Sequence, residues 1–207
     1  LNQFFTQVIV GCIAQLVGPI KQITENSKYY SALPPRRIEG RMLPHVTVQC
    51  PVYKEGLSSV IEPTIKSIKQ AISTYELQGG SANIFVNDDG LQLISEEDRE
   101  ARTEFYADHG IGWTARPRHN DDGFFRRGKF KKASNMNYGL MLSNKIEEKL
   151  TVVDRPHDWS QAREAREYER CLNEVLKENG KAWVDGNIRI GDYILLSELP
   201  VSSKRLP

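Results

Sequence analysis

The stretch HVTVQCPVYKE, His45–Glu55, decides the fold. Valines alternate with polar residues up to Cys50, and Pro51 cannot donate to a strand ladder, so a strand is predicted over His45–Cys50 with a turn behind it. Beyond the turn the period changes. Ile61, Ile65, Ile68, Ile72 and Tyr75 share one helical face; Ser58 or Ser59 is placed to cap the helix, and Gly79-Gly80 to end it. Ala82–Val86 (ANIFV) then reads as a second strand, which completes a βαβ unit with parallel strands.

Working toward the C-terminus, the alternation continues. Ser95 and Asp98 form a capping box for a charged helix running through Ala107 and stopped by Gly110. Ile111–Ala115 is a third strand and Lys132–Ser143 a third helix. Asp158–Lys177 is a longer helix with Arg163/Glu167 and Arg170/Glu174 pairs, ending at Asn179-Gly180. Ile190–Leu196 is the last strand, with Tyr193–Leu196 expected to be buried. The prediction is an α/β fold: a Rossmann-like, mostly parallel sheet with flanking helices, preceded by an N-terminal apolar helix.

Two hundred and seven residues, 39% of them apolar, suffice for a globular core. Lysine and arginine number 28 against 27 acids, so net charge gives no reason to expect nucleic acid. Cys12, Cys50 and Cys171 are far apart and odd in number, which reads as reduced thiols in a cytosolic setting. His45, His109, His119 and His157 lack the spacing of a zinc site and read as surface or turn residues.

Toward the N-terminus, residues 4–20 contain no charge and space Phe4, Phe5, Val8, Ile9, Cys12, Ile13, Leu16, Val17 and Ile20 as one helix. Seventeen residues lie at the lower limit for a bilayer span, and polar Thr6, Gln7 and Gln15 keep an interfacial helix open beside a spanning one. Lys21, Lys28, Arg36, Arg37 and Arg41 then outnumber Glu25 and Glu39, and the positive-inside tendency would place the α/β domain in the cytoplasm. The chain begins at Leu1 rather than methionine, which reads as a trimmed or partial product.

Three stretches can carry chemistry. Pro51, Tyr53 and Glu55 follow the first strand, where a tyrosine ring can stack on a base. Asn87-Asp88-Asp89-Gly90 closes the second strand, where carboxylates can accept from a base N–H or ribose hydroxyl and Gly90 permits a tight turn. Residues 116–132, RPRHNDDGFFRRGKFKK, hold seven basic side chains against Asp121 and Asp122. Such a run at a helix N-terminus suits a diphosphate; with Phe124, Phe125 and Phe130 interleaved it also suits RNA.

VTVQCPVYKE, IFVNDDG and GKFKKASNMNYGL together resemble, in order and spacing, the nucleotide-binding half of family 2 glycosyltransferases, the family of cellulose, chitin and hyaluronan synthases. KASNMNYGL carries the most specific part of the likeness, which covers roughly residues 45–143. The resemblance implies a GT-A fold, a nucleoside-diphosphate sugar donor, usually a UDP-sugar, and a divalent metal, magnesium or manganese. It implies that Pro51, Tyr53 and Glu55 line a base pocket. Asp88 or Asp89 would hold the uracil or ribose, and Lys132, Asn135 and Asn137 would border the diphosphate.

The chain departs from that pattern at its end. In the family the next strand closes on an Asp-x-Asp motif that holds the metal; here GDYILL is followed by Ser197-Glu198-Leu199-Pro200, with no aspartate after Asp192. No metal residue, general base or glycan-acceptor element is therefore assigned. The tail SELPVSSKRLP reads as coil of the kind a shifted frame or retained intron produces. The organisation expected is an apolar helix and basic linker over residues 1–44, a truncated nucleotide-sugar domain over 45–196 with an inserted charged helix at 158–178, and a tail over 197–207. The expected function is donor binding in a membrane-associated inverting glycosyltransferase, inactive as written. The alternatives are a non-catalytic nucleotide-sugar or interaction module and, further off, an RNA-binding α/β domain.

Overall fold

The computed structural model describes residues 2–17, 42–121, 123–126 and 131–197. The expectations placed on the basic linker, on Asp122, Arg127, Lys129 and Phe130, and on Glu198 with the tail lie outside those residues. The chain divides into two units, Leu1–Arg41 and Met42–Pro207. In the first, helix α1 (Asn2–Val17) has no charged side chain and exposes Val8, Ile9, Val10, Ile13 and Leu16. Among the described residues no helix is long and apolar enough to cross a membrane.

The second unit is an α/β fold. Strand β1 (His45–Val52) leads through a π-helical turn, Leu57–Ile61, into α2 (Glu62–Glu76). Then come β2 (Ser81–Asp88), α3 (Glu96–Asp108), β3 (Gly112–Ala115), α4 (Lys131–Thr151), α5 (Gln161–Glu178), β4 (Trp183–Asp185) and β5 (Tyr193–Leu196). The five strands form one sheet in the order β4-β3-β2-β1-β5. β1 runs parallel to both β2 and β5, and β2 parallel to β3, whereas β4 is antiparallel to β3.

Each sheet face has its own core, because successive side chains on a strand point to opposite faces. Val48, Cys50, Val52, Ile84 and Val86 pack with Ile61 and Ile65 of the α2 side and Tyr106 of α3. On the other face Phe85 packs with Leu142, Ile146 and Leu150 of α4 and Cys171 and Val175 of α5. The apolar face read for α2 is present, and Tyr75 ends it by donating its hydroxyl to the Pro44 carbonyl at 2.8 Å. Cys50 and Cys171 are buried free thiols, and burial pushes Cys50 up to about 12.

Several boundaries differ from the sequence reading for physical reasons. Ser58 and Ser59 cap nothing: the amides of Val60 and Ile61 both turn back to the Gly56 carbonyl, and Pro63 sits in the first turn of α2, where its missing N–H costs nothing. The Ser95–Asp98 box is present, with the Asp98 amide donating to Ser95 Oγ at 3.2 Å. Helix α4 runs past Ser143 to Thr151, because Ile146 and Leu150 continue its buried stripe. Arg170 pairs with Glu174 as expected, but Glu167 also turns to Arg170, and Arg163 to Asp158. Strand β4 has no counterpart in the sequence reading, three residues being too few to show a period.

Tyr193, Ile194, Leu195 and Leu196, expected to be buried, are 40–66% exposed. Among the described residues their strand is an edge, bonded only to β1, and no buried side chain of either core comes from it. Apolar runs identify strands buried on both faces only when neighbours exist to cover them.

Candidate functional site

The sheet order places a switch point beside β1. From β1 the chain winds outward through β2 to β3, then returns to lay β5 on the opposite side of β1. The strand order therefore reverses at β1, and a crevice opens beside β1 and β5 toward their carboxyl ends, the end at which open α/β sheets bind ligands. It has a volume of about 640 Å³ and is lined by Gln49 and Pro51 of β1, Leu196 and Ser197 of the β5 end, and Lys132, Met136 and Asn137 of α4, among others. The N-terminus of α4 stands at its rim, where backbone N–H groups and the helix dipole favour an anion.

Of the eight candidate residues, Pro51, Lys132 and Asn137 meet in this crevice. Asn135 does not: it lies buried beneath α4 and donates from Nδ2 to the Asn87 carbonyl at 2.8 Å, fixing the helix to the end of β2. Tyr53 stands just past β1 and is 40% exposed, which leaves a face for stacking. Glu55 accepts from the Tyr53 amide through Oε2 at 2.6 Å and so shapes the turn that presents that ring.

The acidic pair is where the sequence placed it, but its carboxylates are taken. Asp88 is 0% exposed and accepts from Arg102 Nη1 at 2.9 and 3.1 Å, from the Tyr106 hydroxyl at 3.0 Å and from the Gly90 amide at 3.1 Å. Burial pushes its pKa above the ordinary aspartate value, against the lowering effect of Arg102 and the other donors. Tyr106 is driven well up as well, by burial first and the adjacent carboxylate second. Asp89 receives Arg116 through Nε at 2.8 Å and Nη2 at 2.6 Å, and Arg126 at 3.2 Å. The expectation that Asp88 or Asp89 directly holds a uracil or ribose is not what these surroundings support. Two buried arginine pairs brace the strand ends instead.

The basic run is divided in the same way. Arg126 donates to the carbonyls of Pro117, Arg116 and Asp89, and Arg118 to that of Gln92, so both act as struts of the loop after β3. Arg116 also donates to Ser134 Oγ at 2.8 Å, tying that loop to the first turn of α4. Among the described members of the run, Lys132 lines the crevice. Phe124 packs edge-on against Tyr138, while Phe125 is exposed beside His119.

No divalent-metal site is formed by the described residues: no three His, Cys, Asp or Glu side chains converge. Asp192 lies at the amino end of β5, where its carboxylate accepts from the His45 amide at 2.8 Å. A hard cation takes six or more oxygens and needs several carboxylates at one point.

Gln49 lies outside the residues that the sequence singles out. It is fully buried, lines the crevice, and donates from Nε2 to Asn87 Oδ1 at 2.7 Å, while Asn87 donates to Thr114 Oγ1 at 3.0 Å. A signal for it exists: a parallel strand with helices on both faces reads as nearly continuous apolar residues, and HVTVQC and IFVND break that rule on one face.

A second concavity, about 580 Å³, runs between α5 and the segment after β4, lined by Glu164, Tyr168, Leu172 and Asn187 among others. Asn187 packs against Gly112 at the amino end of β3, so this groove lies away from the strand ends that gather ligands. Glu164 within it is bonded to Arg155, Trp159 and Arg189, and the Arg155 bond first of all holds its carboxyl down at about 2. Comparison with protein-family models, curated proteins and solved structures finds no match to this chain.

Proposed function

We propose that this chain binds a nucleoside-diphosphate sugar, with UDP as the nucleotide, and is the donor-binding part of an inverting glycosyltransferase of the family 2 type. The observation that carries this reading is the crevice at the β1/β5 switch point, where Pro51, Lys132 and Asn137 meet beside the N-terminus of α4. These residues belong to the motifs that resemble the family, PVYKE and KASNMN, and the sheet brings them to one place. The base stacks on Tyr53; the diphosphate lies toward Lys132 and the first amides of α4. Those cationic and dipolar groups would stabilise charge on a departing diphosphate.

Titration of the chain with UDP in a calorimeter tests this. Binding is expected to be weak, in the millimolar range, and little altered by manganese, since no metal site is formed among the described residues. Tyr53→Ala should weaken it about tenfold or more, base stacking being worth roughly 1–3 kcal/mol. No release of UDP from a UDP-sugar above the rate without protein is expected. An unchanged affinity in Tyr53→Ala, or salt-sensitive RNA binding in place of UDP binding, would overturn the reading.

The membrane part of the proposal rests on α1. Its described residues carry no charge and expose Val8, Ile9, Val10, Ile13 and Leu16, an apolar surface suited to a bilayer interface. We read it as lying along the interface, and the excess of basic over acidic residues in the sequence from Lys21 to Arg41 would add attraction to anionic headgroups. The chain should float with vesicles rich in phosphatidylserine and be released by salt. Ile9→Asp/Ile13→Asp should abolish flotation, and flotation that survives this change would show that α1 is not the anchor.

A further inference from the structure

The groove of about 580 Å³ between α5 and the residues after β4 lies outside the nucleotide crevice. One wall is a stripe of α5 on which Tyr168, Leu172 and Leu176 recur at helical spacing; the other is formed by Val184 of β4 and by Gly186 and Asn187 beyond it. Tyr168, Leu172, Leu176 and Val184 pack on the second core and are only partly buried, so each keeps apolar surface for the groove. The Tyr168 hydroxyl ties the walls together, donating to the Gly186 carbonyl at 3.0 Å and accepting from the Ile188 amide at 2.9 Å. The groove is therefore ready-formed, and an occupant does not have to order it.

Backbone and charge decide the occupant. Among the described residues β4 is bonded only to β3, so the outer side of the strand offers peptide groups with no partner in the sheet. A helix laid in the groove would cover these groups without pairing them, which is costly for buried donors and acceptors, whereas an extended segment pairs them. Four charged residues line the groove. Glu164 and Arg189 pair with each other at 3.1 Å, which leaves Glu169 and Asp185, both exposed and with no cation partner among the described residues. A second copy pairing through β4 would bring its own Glu169 and Asp185 against them, like charge on like, so the occupant is a different chain that carries cations.

We propose that this groove docks an extended, basic segment of another protein. The segment extends the sheet beyond β4, sets alternate apolar side chains against Leu172, Leu176 and Val184, and reaches Glu169 and Asp185 with lysine or arginine. Nucleotide binding in the crevice is not required for it.

The probe is a fluorescein-labelled heptapeptide alternating lysine and valine, titrated against the full chain by fluorescence anisotropy at physiological salt. It should bind in the micromolar range, and its counterpart alternating glutamate and valine should not. Glu169→Lys/Asp185→Lys should weaken the lysine peptide about tenfold or more and bind the glutamate peptide instead. Glu169→Gln/Asp185→Asn carries the loss of the lysine peptide should the reversed variant not fold, thermal unfolding being recorded for both. Methylating the amide nitrogen of every second residue of the peptide should abolish binding in one register and spare it in the other, since a strand turns only alternate amides toward a given neighbour. Absence of wild-type binding at millimolar peptide, or equal affinity in the charge-reversed variant, overturns the assignment of the groove. Methylation that acts alike in both registers overturns it too, the peptide then lying there as a helix or being held by charge alone.

Discussion

Replacing Arg102 by leucine should cost the fold about 3–5 kcal/mol at neutral pH, the usual penalty for removing one partner of a buried ion pair. Arg102 and Asp88 are both nearly inaccessible to solvent, and the guanidinium also donates to the carbonyls of Tyr53 and Glu55. One side chain of α3 thus neutralises the end of β2 and clasps the loop after β1. Without it, Asp88 remains in the core with only the Tyr106 hydroxyl and the Gly90 amide. The pH dependence comes from the direction of its shift. Burial raises Asp88 above the ordinary carboxylate value, so its contribution to stability is fully present below about pH 4 and is lost as pH rises through the folded value. Removing Arg102 takes away the largest opposing influence and raises the folded value further. The deficit should therefore be greatest at pH 7 and shrink on acidification. Asp88→Asn/Arg102→Leu should recover a substantial part of the loss at pH 7, because no charge is then stranded. Urea unfolding at pH 7 and pH 4.5 checks both statements. A deficit below about 1 kcal/mol, or one equal at both pH values, would show that the pair does not bear on the fold in this way.

That pair also marks where sequence reading stops. The strands and helices announce themselves through period and punctuation: alternating valines in β1, the isoleucine stripe of α2, the Ser95 cap of α3. Parallel winding comes from their order. The crevice is legible as a position, since Pro51, Lys132 and Asn137 are expected at strand ends or a helix N-terminus and meet there. What the acids contact is not legible. Asp88 and Arg102 are 14 residues apart with a turn and half a helix between them, and Asp89 and Arg116 are separated by a helix and a strand. In the sequence an Asp-Asp-Gly stretch and a charged helix are two separate polar features; only folding shows that they neutralise each other. The edge strand fails for the opposite reason: composition reports what a strand is suited to pack against, while exposure depends on which neighbours are present.

The two kinds of polar group near β1 and β2 therefore differ in meaning. Asp88 and Asp89 are saturated by arginines and hold the scaffold. Lys132 and Asn137 line the crevice, are exposed, and can meet a ligand. Mutational tests of binding should begin with the second kind, because a change in the first acts on folding before it acts on any ligand. On the proposed reading, an Asp88→Ala/Asp89→Ala variant would lose UDP binding through the fold.

Gly90→Ala should be among the most disruptive single-methyl changes in this domain, costing about 3 kcal/mol or more. The sequence suggests a glycine used for a tight turn. The structure gives a different cause: Gly90 does not adopt a left-handed φ, but a Cβ there would overlap the backbone carbonyl of Tyr53. The turns after β1 and β2 are locked at this point, with the Asp89 amide donating to the Val52 carbonyl at 2.9 Å and the Gly90 amide to Asp88 Oδ1 at 3.1 Å. No rotamer change relieves backbone against backbone, so the two loops must separate. That movement would loosen the Asp88–Arg102 pair and displace the Tyr53 ring, so UDP affinity should fall together with stability. Gly110→Ala is the informative control. Gly110 has φ +62° and open space where a Cβ would lie, so its replacement should cost only the left-handed strain of about 1–2 kcal/mol and leave UDP binding intact. Urea unfolding and UDP titration of the two variants in parallel separate the cases. If Gly90→Ala proved no more damaging than Gly110→Ala, or kept full UDP affinity, the close approach of the two loops would not be what holds Tyr53 in place.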